Sequence, residues 1–437
     1  MSGRIGLVCL MVGWLGQIAW AQQDRCGIIE YEKYLMQKYP ERVQHRLKLE
    51  QEISDYMREN ANVGARITEP TLRIPVVVHI MHNNTSGFIG GANNPNISDE
   101  QVISQIKVLN EDYRRKEGTK GYNSNPVGAD MNIEFYLANK DPNGNATSGI
   151  TRHLTTYQSV DFYADWDAIA AIVSWPSECY LNIWVVPSSD NYLALAQYPS
   201  VDGFSIPGLN NATEQLVKTD GIICNYDAFG TVGAVLTGKH KTLYGLGRSV
   251  THEIGHWLGL FHTWGDSFCG TDYVDDTPTA EGSNAAGKLT CDPITSNCGG
   301  KKTTNMIENY MDYSPDPCMN TFTLGQKTRT RAVFVRAPRR KKLLTCFSSL
   351  PTSDKLTVSV YPNPTSSTAN LDVLLNGTQD VTVELLDMSG KVMFKDNYSQ
   401  IVSNSLTLRT DNIADGLYLI RVSTSSESVT KRISVVH

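Results

Sequence analysis

The strongest constraint in the sequence is one motif, H-E-x-x-H-x-x-G-x-x-H, which begins at His252. Residues four apart on a helix lie on the same face, so His252 and His256 can bind a single metal ion. Glu253 follows directly, where its carboxylate can reach a water bound to that metal. Gly259 adopts a positive φ at low cost, so the helix can end there and the chain can turn back to present His262 as a third ligand.

Three nitrogen ligands with an open fourth position are typical of catalytic zinc, because structural zinc sites have protein ligands in all four positions. The alternative is that the motif arises by coincidence, with two helical histidines that are solvated or hydrogen-bonded in a core. H-E-x-x-H alone would leave that alternative open. The longer motif, with its glycine and third histidine, favours zinc.

The composition limits the number of domains and the classes of binding partner. A chain of 437 residues with 41% hydrophobic content can hold two or three globular domains. The net charge of −6 gives no basic surface of the kind that binds nucleic acid.

The first 21 residues have the pattern of a secretory signal peptide. Arg4 precedes an apolar run at residues 5–18, and Ala19-Trp20-Ala21 is an A-x-A cleavage site. The run is too short for the alternative, a membrane anchor, and no later stretch reaches transmembrane length. We therefore expect the protein to be secreted or presented at the cell surface, without a transmembrane segment.

Residues 22–68 predict a helical pro-segment. They are charged and helix-patterned, notably at residues 28–57, and precede the first strand of a core. Cys26 lies near their start, and a thiolate is a strong zinc ligand. Cys26 can therefore fill the open zinc position and keep an enzyme latent, or it is an incidental free thiol.

Residues 69–348 predict an α/β catalytic domain, with a twisted sheet, the zinc helix and an irregular C-terminal subdomain. Predicted strands are residues 74–80, 131–138, 180–186 and 220–225, and Ser98-x-x-Gln101 predicts a capping box at a helix start. Residues 193–199 or 221–226 are candidates for an edge strand that pairs with extended substrate. The histidines outside the motif, His79, His82 and His153, are expected to pack or form hydrogen bonds.

The segment 265–300, after the zinc motif, is too polar to fold around a core of its own. Disulfides and a hard cation would order it, and residues 272–278 supply the dense oxygen ligands that calcium needs. The candidate ligands are Asp272, Asp275, Asp276 and Thr277. The alternative is a solvated acidic loop. A basic run at residues 337–342 is expected to be a solvated helix end or linker, with a processing site as the second possibility.

Cysteine positions fit an exported protein, in which disulfides persist. Four cysteines cluster after the zinc motif: Cys269, Cys291, Cys298 and Cys318. Four others are scattered along the chain: Cys26, Cys179, Cys224 and Cys346. No C-x-x-C pair is present, which argues against a cysteine-ligated zinc site.

Residues 349–437 predict a small all-β sandwich, because short alternating strands rich in Ser, Thr and Val are separated by turn residues. The predicted strands are residues 383–386, 391–394, 405–409, 417–422 and 431–436.

Several ordered motifs resemble the pappalysin family of metzincin metalloproteases, in particular its ulilysin and cytophagalysin group. They are residues 248–263 around the zinc motif, 272–278, 309–313 and 318–326. The resemblance runs from about residue 74 to residue 346. It implies that His252, His256 and His262 bind zinc, that Glu253 is the general base, that Met311 forms the Met-turn floor under the zinc, and that Tyr313 steadies the oxyanion.

The same resemblance implies calcium in the loop at residues 272–277 and disulfides joining Cys269 to Cys298 and Cys291 to Cys318. Arg25-Cys26-Gly27 is similar to the cysteine switch of the family's pro-segments. Relatives that cleave before Arg or Lys have an acidic residue directly before the cysteine matching Cys318. Pro317 stands there in this chain, with Asp316 one step earlier, so the resemblance leaves this preference open. Cys179, Cys224 and Cys346 match no family role.

The C-terminal residues resemble a type IX secretion sorting domain, in Val360-Tyr-Pro-Asn-Pro364, Asp387-Met-Ser-Gly-Lys-Val392 and the stretch from Asp415 to Val422. That resemblance implies the type IX secretion machinery as a partner. A carbohydrate- or protein-binding sandwich is the alternative.

Together these features predict a secreted zinc metalloendopeptidase, made as a latent zymogen, that hydrolyses peptide bonds in protein or peptide substrates. An adhesive or matrix-binding secreted protein with an idle metal site is the alternative from another class. Zinc-dependent hydrolysis of a non-peptide amide is a third possibility. The sequence leaves open the natural substrate, the preferred cleavage residue, the activation site and the oligomeric state.

Overall fold

A computed structural model gives the fold of this protein. The residues it describes are 25–60, 71–145, 147–189, 192–201, 214–231, 243–284, 290–346, 356–361, 363–366, 368–374, 379–401 and 404–437. The predicted signal peptide lies outside them. The chain divides into two compact units, Met1–Cys346 and Phe347–His437. Among the described helices, none is both long and apolar enough to cross a membrane.

The first unit is built on a six-stranded sheet with the order β2-β1-β4-β6-β5, in which β3 also pairs with β1 beyond the end of β2. The strands are β1 (Leu72–His82), β2 (Ile133–Leu137), β3 (Ile150–Leu154), β4 (Leu181–Val186), β5 (Ala194–Ala196) and β6 (Gly221–Asn225). Pairing is parallel except at the edge, where β5 runs antiparallel to β6. The central strands β4 and β6 are buried along their whole length. Continuous burial explains their unbroken apolar sequences, since parallel strands are covered on both faces.

The first unit also contains the following helices. They are α1 (Ile28–Lys38), α2 (Glu41–Asn60), α3 (Asp99–Tyr113), α4 (Trp166–Ile172), α5 (Glu214–Lys218), α6 (Arg248–Trp257), α7 (Leu324–Arg336) and α8 (Pro338–Leu343). Ser98 caps α3 by accepting the backbone N–H of Gln101 at 3.3 Å. The predicted capping box is only half formed, because the Gln101 side chain instead donates to the carbonyl of Phe229 at 2.8 Å.

The two pro-segment helices pack on the rest of the first unit. Helix α1 buries Tyr31 and Leu35 in the main core of the unit. Helix α2 buries Leu49 and Ile53 in a separate apolar cluster that includes Val333 of α7. The chain between residues 25 and 60 is therefore folded onto the rest of the first unit.

Helix α6 carries the first half of the zinc motif, and every residue in it is buried. Its first residue, Arg248, forms an ion pair with the buried Asp112 of α3 at 3.1 Å. The same carboxylate accepts the hydroxyl of Thr251 at 2.8 Å. These contacts to α3 hold the helix in one orientation against the sheet.

Three disulfides are present among the described residues: Cys269–Cys298, Cys291–Cys318 and Cys179–Cys346. The first two are the pairs that the family resemblance implies, and they order the irregular region with its short hairpin of β7 (Thr295–Cys298) and β8 (Lys301–Thr304). The third joins two cysteines that had no assigned role. This disulfide links the end of the unit, after α8, to the turn before β4.

The basic run at residues 337–342 is not a solvated linker, so that expectation is wrong. It forms α8, in which Arg339 and Arg340 are buried. Both donate to the buried carboxylate of Asp220, Arg339 at 2.5 Å and Arg340 at 2.7 and 2.8 Å. The guanidinium carbon of Arg340 also lies 3.7 Å from the ring centre of Trp257, at the end of α6. Arg339 and Arg340 therefore attach α8 to Asp220 and to the end of the zinc helix.

The second unit consists of two antiparallel sheets with the orders β13-β10-β9 and β12-β11-β14-β15. Its strands are β9 (Thr357–Tyr361), β10 (Thr368–Leu374), β11 (Gln379–Leu386), β12 (Val392–Ile401), β13 (Asn404–Arg409), β14 (Gly416–Ser423) and β15 (Ser428–Val435). Side chains from both sheets, such as Leu371 and Ile420, share one core. This is the all-β sandwich expected from the sequence, with β9 and β10 as strands that had not been predicted.

Candidate metal centre

The three motif histidines converge on one point. Helix α6 presents His252 and His256, whose Nε2 atoms lie 3.0 Å apart. Gly259, at φ +85°, turns the chain back, and the Nε2 atom of His262 then lies 3.1 Å from that of His256. All three side chains are fully buried. Three imidazole nitrogens grouped this closely are suited to one metal ion and to little else.

The opposite ring nitrogens of these histidines have acceptors that fix their orientation. Nδ1 of His252 lies 2.7 Å from the carbonyl oxygen of Tyr310, and Nδ1 of His256 lies 2.8 Å from that of Leu260. Nδ1 of His262 instead contacts the carboxylate of Asp266. Burial, followed by the neighbouring histidines, lowers the pKa of His252 and His256 well below the ordinary value. Neutral imidazoles are the form that ligates metal.

Cys26 completes the group. Its sulfur and one ring nitrogen of each motif histidine all lie within 4.8 Å of one another. The thiol is buried, and this burial, followed by the charge of Glu253, raises its pKa. Three imidazoles and one cysteine are a donor set that zinc accepts. The structure thus brings together residues that are more than 220 positions apart in the sequence.

Glu253 lies beside this group and is completely buried. Neither carboxylate oxygen has a well-aligned hydrogen-bond partner among the described residues, although the Cys26 thiol and the backbone of Ala196 are near enough to favour its charged form. Burial raises the pKa of the carboxyl to about 8, and the nearby Cys26 and Arg25 oppose this rise. A buried carboxylate with free acceptor positions, next to a metal site, can accept a proton from a water molecule.

Met311, the predicted Met-turn residue, packs against the helix that carries the zinc motif. Met311 is fully buried, and its sulfur lies so close to Gly255 that a Cβ at position 255 would overlap it. Gly255 occupies one of the variable positions of the motif, so this requirement was not apparent from the motif itself. Met311 thus packs against the helix and is not grouped with the motif histidines.

Tyr313 lies between Cys26 and His262. Its hydroxyl donates to the carbonyl oxygen of Cys26 at 2.8 Å, and its ring stands edge-on to His262 with centroids 4.8 Å apart. A phenol that reaches a carbonyl beside the metal ligands is placed where it could also reach the oxygen of a substrate carbonyl.

Arg25, next to Cys26, occupies a buried acidic pocket that was not expected. Its guanidinium donates to a carboxylate oxygen of Asp316 at 2.6 Å and to the carbonyl of Ser314 at 2.9 Å. Both side chains of the ion pair are fully buried. The second carboxylate oxygen of Asp316 accepts the backbone N–H of Arg248 at 3.1 Å, at the start of the zinc helix. In the sequence, the only sign of this pairing is that Arg25 stands beside Cys26 and that Asp316 stands near Cys318.

The edge strand β5 borders the centre and pairs with the pro-segment. Cys26 forms a parallel bridge with Ala194, and the N–H of Leu193 donates to the carbonyl of Arg25 at 3.1 Å. Of the two candidate segments, residues 193–199 therefore form the sheet edge that lies beside the metal ligands.

The loop at residues 272–277 is partly buried rather than fully solvated. The Thr277 hydroxyl lies 2.7 Å from a carboxylate oxygen of Asp272 and 2.9 Å from the carbonyl oxygen of Val274. Burial raises the pKa of Asp272 to about 6. The carboxylate of Asp276 caps α7, accepting from Thr323 and from the N–H of Gly325, and Asp275 is exposed.

The histidines outside the motif are not brought to the centre. His79 is buried in β1 and has Thr151 at 2.7 Å and Asn182 at 3.0 Å as hydrogen-bond partners. Burial lowers its pKa to about 3, so it stays neutral. It is a packing and hydrogen-bonding residue, as expected.

Comparison with known protein families gives two matches. Residues 232–335 match the family described as pregnancy-associated plasma protein-A. Residues 359–436 match the family described as secretion system C-terminal sorting domain. The first match contains the whole zinc motif, and the second covers most of the β-sandwich.

Curated relatives and solved structures are similar to the first unit. An extracellular metalloprotease of Colletotrichum graminicola is 30% identical over 278 residues, which are 63% of this chain and 81% of the relative. The structure of a Tannerella forsythia promirolysin mutant is 34% identical with a TM-score of 0.58, covering 74% of this chain and 98% of that one. Mature mirolysin of the same organism, in complex with a cleaved peptide, is 38% identical with a TM-score of 0.53, covering 64% and 98%.

Proposed function

Because the chain belongs to the pappalysin family of metalloproteases and is a secreted zinc metalloendopeptidase made with a pro-segment, we propose that the three motif histidines hold its catalytic zinc and that Glu253 is its general base. The convergence of three buried imidazole nitrogens beside a buried glutamate carries this proposal. The relatives do not favour an adhesive protein with an idle metal site.

Bound zinc would polarise the scissile carbonyl and lower the pKa of a water molecule towards about 7. Glu253 accepts the proton of that water and passes it to the leaving amine. Its burial serves this role, because burial raises the pKa of the carboxyl and so makes it a stronger base than an exposed carboxylate.

Tyr313 is proposed to stabilise the oxyanion. In the proenzyme its hydroxyl donates a hydrogen bond of 2.8 Å to the backbone carbonyl oxygen of Cys26. A donor already fixed towards developing negative charge lowers the barrier without having to reorient. In the proenzyme the carbonyl of Cys26 occupies this donor, so the same contact blocks the site.

Cys26 is proposed as the latency switch. Its sulfur lies with the three histidine nitrogens, where it would take the fourth zinc position and exclude water. The adjacent Arg25–Asp316 ion pair and the bridge of Cys26 to β5 hold this part of the pro-segment in place. On this proposal, residues 22–68 are the inhibitory pro-segment and residues 69–348 the catalytic domain.

The pocket that holds Arg25 supports a preference for arginine next to the scissile bond. Its floor combines a buried carboxylate with the carbonyl of Ser314 and the sulfur of Met319, which together accept several guanidinium N–H groups. Asp316 thus supplies the acidic group that Pro317 cannot. Once the pro-segment has left, the pocket would be open to an arginine side chain of a substrate.

Sequencing the products of one digested protein tests this specificity. We expect new N-termini that begin predominantly with arginine. Asp316→Asn is expected to lower kcat/KM for arginine substrates by about 100-fold or more, since removing one charge of a buried pair typically costs about 2–5 kcal/mol. It should change kcat/KM for alanine substrates much less. Glu178→Gln, at an exposed glutamate, serves as the control. Equal losses on both substrates would show that Asp316 supports the fold rather than the specificity.

A structural calcium ion is proposed at the loop of residues 272–277. Three oxygen atoms, from Asp272, Val274 and Thr277, already lie together there, and the buried Asp272 carboxylate would gain a compensating charge. Asp276 fits less well because both of its oxygens cap α7, and Asp275 would have to move in from its exposed position.

Chelation of calcium, at a concentration that leaves zinc bound, is expected to lower Tm by roughly 5 °C. A ligand at 100 times its Kd stabilises a fold by about 2.7 kcal/mol, and each kcal/mol shifts Tm by about 2–4 °C in a domain of this size class. Calorimetry with parallel zinc analysis measures the change. Asp272→Asn should melt lower from the outset and respond little to the chelator. An unchanged Tm of the wild-type chain would remove the calcium proposal.

The C-terminal sandwich, residues 349–437, is proposed to be the segment that the type IX secretion machinery binds. Its match to a sorting domain supports this role, and the secreted or cell-surface location of the enzyme is consistent with it. Catalysis is then assigned to the first unit alone.

A further inference from the structure

His262 differs from the other two motif histidines in what holds it. His252 and His256 are part of helix α6, and backbone carbonyl groups lie closest to their Nδ1 atoms. The Tyr198 hydroxyl is a more distant second neighbour of His256, at 3.3 Å from Nδ1. The carbonyl acceptors are present whatever the side chains are. His262 lies beyond the helix, after the turn at Gly259, and a side chain, the carboxylate of Asp266, contacts its Nδ1. Its orientation therefore depends on the sequence after the motif.

The position of Asp266 is set by a tight turn. Gly265 has φ +63° and Asp266 has φ +59°, so two successive residues are in the left-handed region. The N–H of Gly265 donates to the carbonyl of His262 at 2.8 Å, and a Cβ at position 265 would overlap the backbone of Thr271. Non-glycine residues rarely adopt a positive φ, although aspartate and asparagine tolerate it. The turn brings the carboxylate of Asp266 back to the histidine four residues earlier.

Trp264 covers one face of the same imidazole. The two rings are stacked, with centroids 4.3 Å apart and planes 7° from parallel. Stacking opposes rotation of the ring about the Cβ–Cγ bond, but it does not determine which ring nitrogen carries the proton. The carboxylate at Nδ1 supplies that second constraint.

We propose that Asp266 is a positioning residue for the metal centre, which fixes the ring and the tautomer of His262. When its carboxylate accepts the Nδ1 proton, the lone pair of Nε2 is left free for the metal, and the negative charge makes that nitrogen a stronger ligand. The inference rests on the proposed zinc site, but the zinc-motif pattern does not include Asp266. His262 is thus the one ligand of the three whose Nδ1 contacts a carboxylate.

Competition with a chromophoric zinc chelator, on the full chain, tests the role of Asp266. Asp266→Gly keeps the positive φ at no cost but removes the acceptor, and we expect its zinc dissociation constant to rise by about 10–100-fold. Asp266→Asn retains an oxygen acceptor and tolerates the same backbone, so it should recover part of this loss. Ser267→Ala, at the next and exposed residue, is the control and should match wild type.

The absorption spectrum of the cobalt-substituted chain provides a second readout. We expect Asp266→Gly to shift the visible bands of bound cobalt, because one imidazole is no longer held, while Ser267→Ala leaves them unchanged. The proposal is overturned if Asp266→Gly binds zinc as tightly as wild type, or if Asp266→Asn loses as much affinity as the glycine variant. Failure of the wild-type chain itself to bind zinc would instead contradict the proposed function.

Discussion

Replacing Cys26 by alanine is expected to shorten the lag before proteolytic activity appears by about tenfold or more. The thiol lies with the three histidine nitrogens and, as a zinc ligand, would stabilise the closed proenzyme. Each 1.4 kcal/mol removed from that state raises the fraction of open molecules about tenfold. The measurement is a time course of casein cleavage by freshly purified full chain, with gel analysis of pro-segment removal.

Cys224 provides a matched control for this experiment. Cys26 and Cys224 are both free and buried, and within the part of the chain that the structure describes they are the free cysteines. The thiol of Cys224 donates to the carbonyl of Asn225 and is not grouped with the metal ligands. Cys224→Ala should therefore keep the wild-type lag. If Cys26→Ala keeps it as well, Cys26 is an incidental thiol and the latency proposal fails.

Glu253→Gln is expected to lower kcat for peptide cleavage by about 10²–10⁴-fold, the usual contribution of a general acid–base group. The amide has nearly the same shape but cannot accept the proton of the attacking water. Zinc content should remain at the wild-type level, because Glu253 is not among the grouped ligands. Cleavage is best compared in the Cys26→Ala background, where the thiol no longer blocks the metal.

The same variant should also fail to remove its own pro-segment, if removal is autocatalytic. Glu178→Gln, which makes the same change at an exposed glutamate, controls for the loss of a carboxylate charge. A Glu253→Gln chain that cleaves casein at the rate of this control would show that another group serves as the base.

The sequence was sufficient to predict the parts of the site that lie close together along the chain. The zinc helix follows from the spacing of His252, Glu253 and His256, since a helix places such residues on one face. The turn at Gly259 follows from the permissive backbone of glycine, and it is observed at φ +85°. The strands of the parallel sheet follow equally from their apolar runs, which reflect burial on both faces.

Long-range pairs could not be predicted in the same way. The ion pair of Arg25 with Asp316 joins residues 291 positions apart, and the disulfide of Cys179 with Cys346 spans 167. Neither pair produces a periodic pattern in the sequence. The tertiary fold determines which residues pair, and in the sequence alone each of these residues resembles an ordinary surface charge or a free thiol.

The wrong expectation for residues 337–342 has a physical cause. A run of four cations normally stays in water, because burying an unpaired charge is costly. Here Asp220 supplies a buried counter-charge for Arg339 and Arg340, and these cations in turn lower its pKa to about 2 against the effect of burial. Asp220 lies just before β6, about 120 positions earlier, so no local pattern indicates this pairing.

The central claim is that one zinc ion is held by the three motif histidines, with Cys26 in the fourth position until the pro-segment leaves. X-ray absorption spectroscopy of the zinc-loaded full chain tests this claim most directly. We expect one zinc per chain with three nitrogen ligands and one sulfur ligand, and loss of the sulfur contribution in Cys26→Ala. A zinc ion without a sulfur ligand in the wild-type chain, or a sulfur contribution that survives in Cys26→Ala, would contradict it.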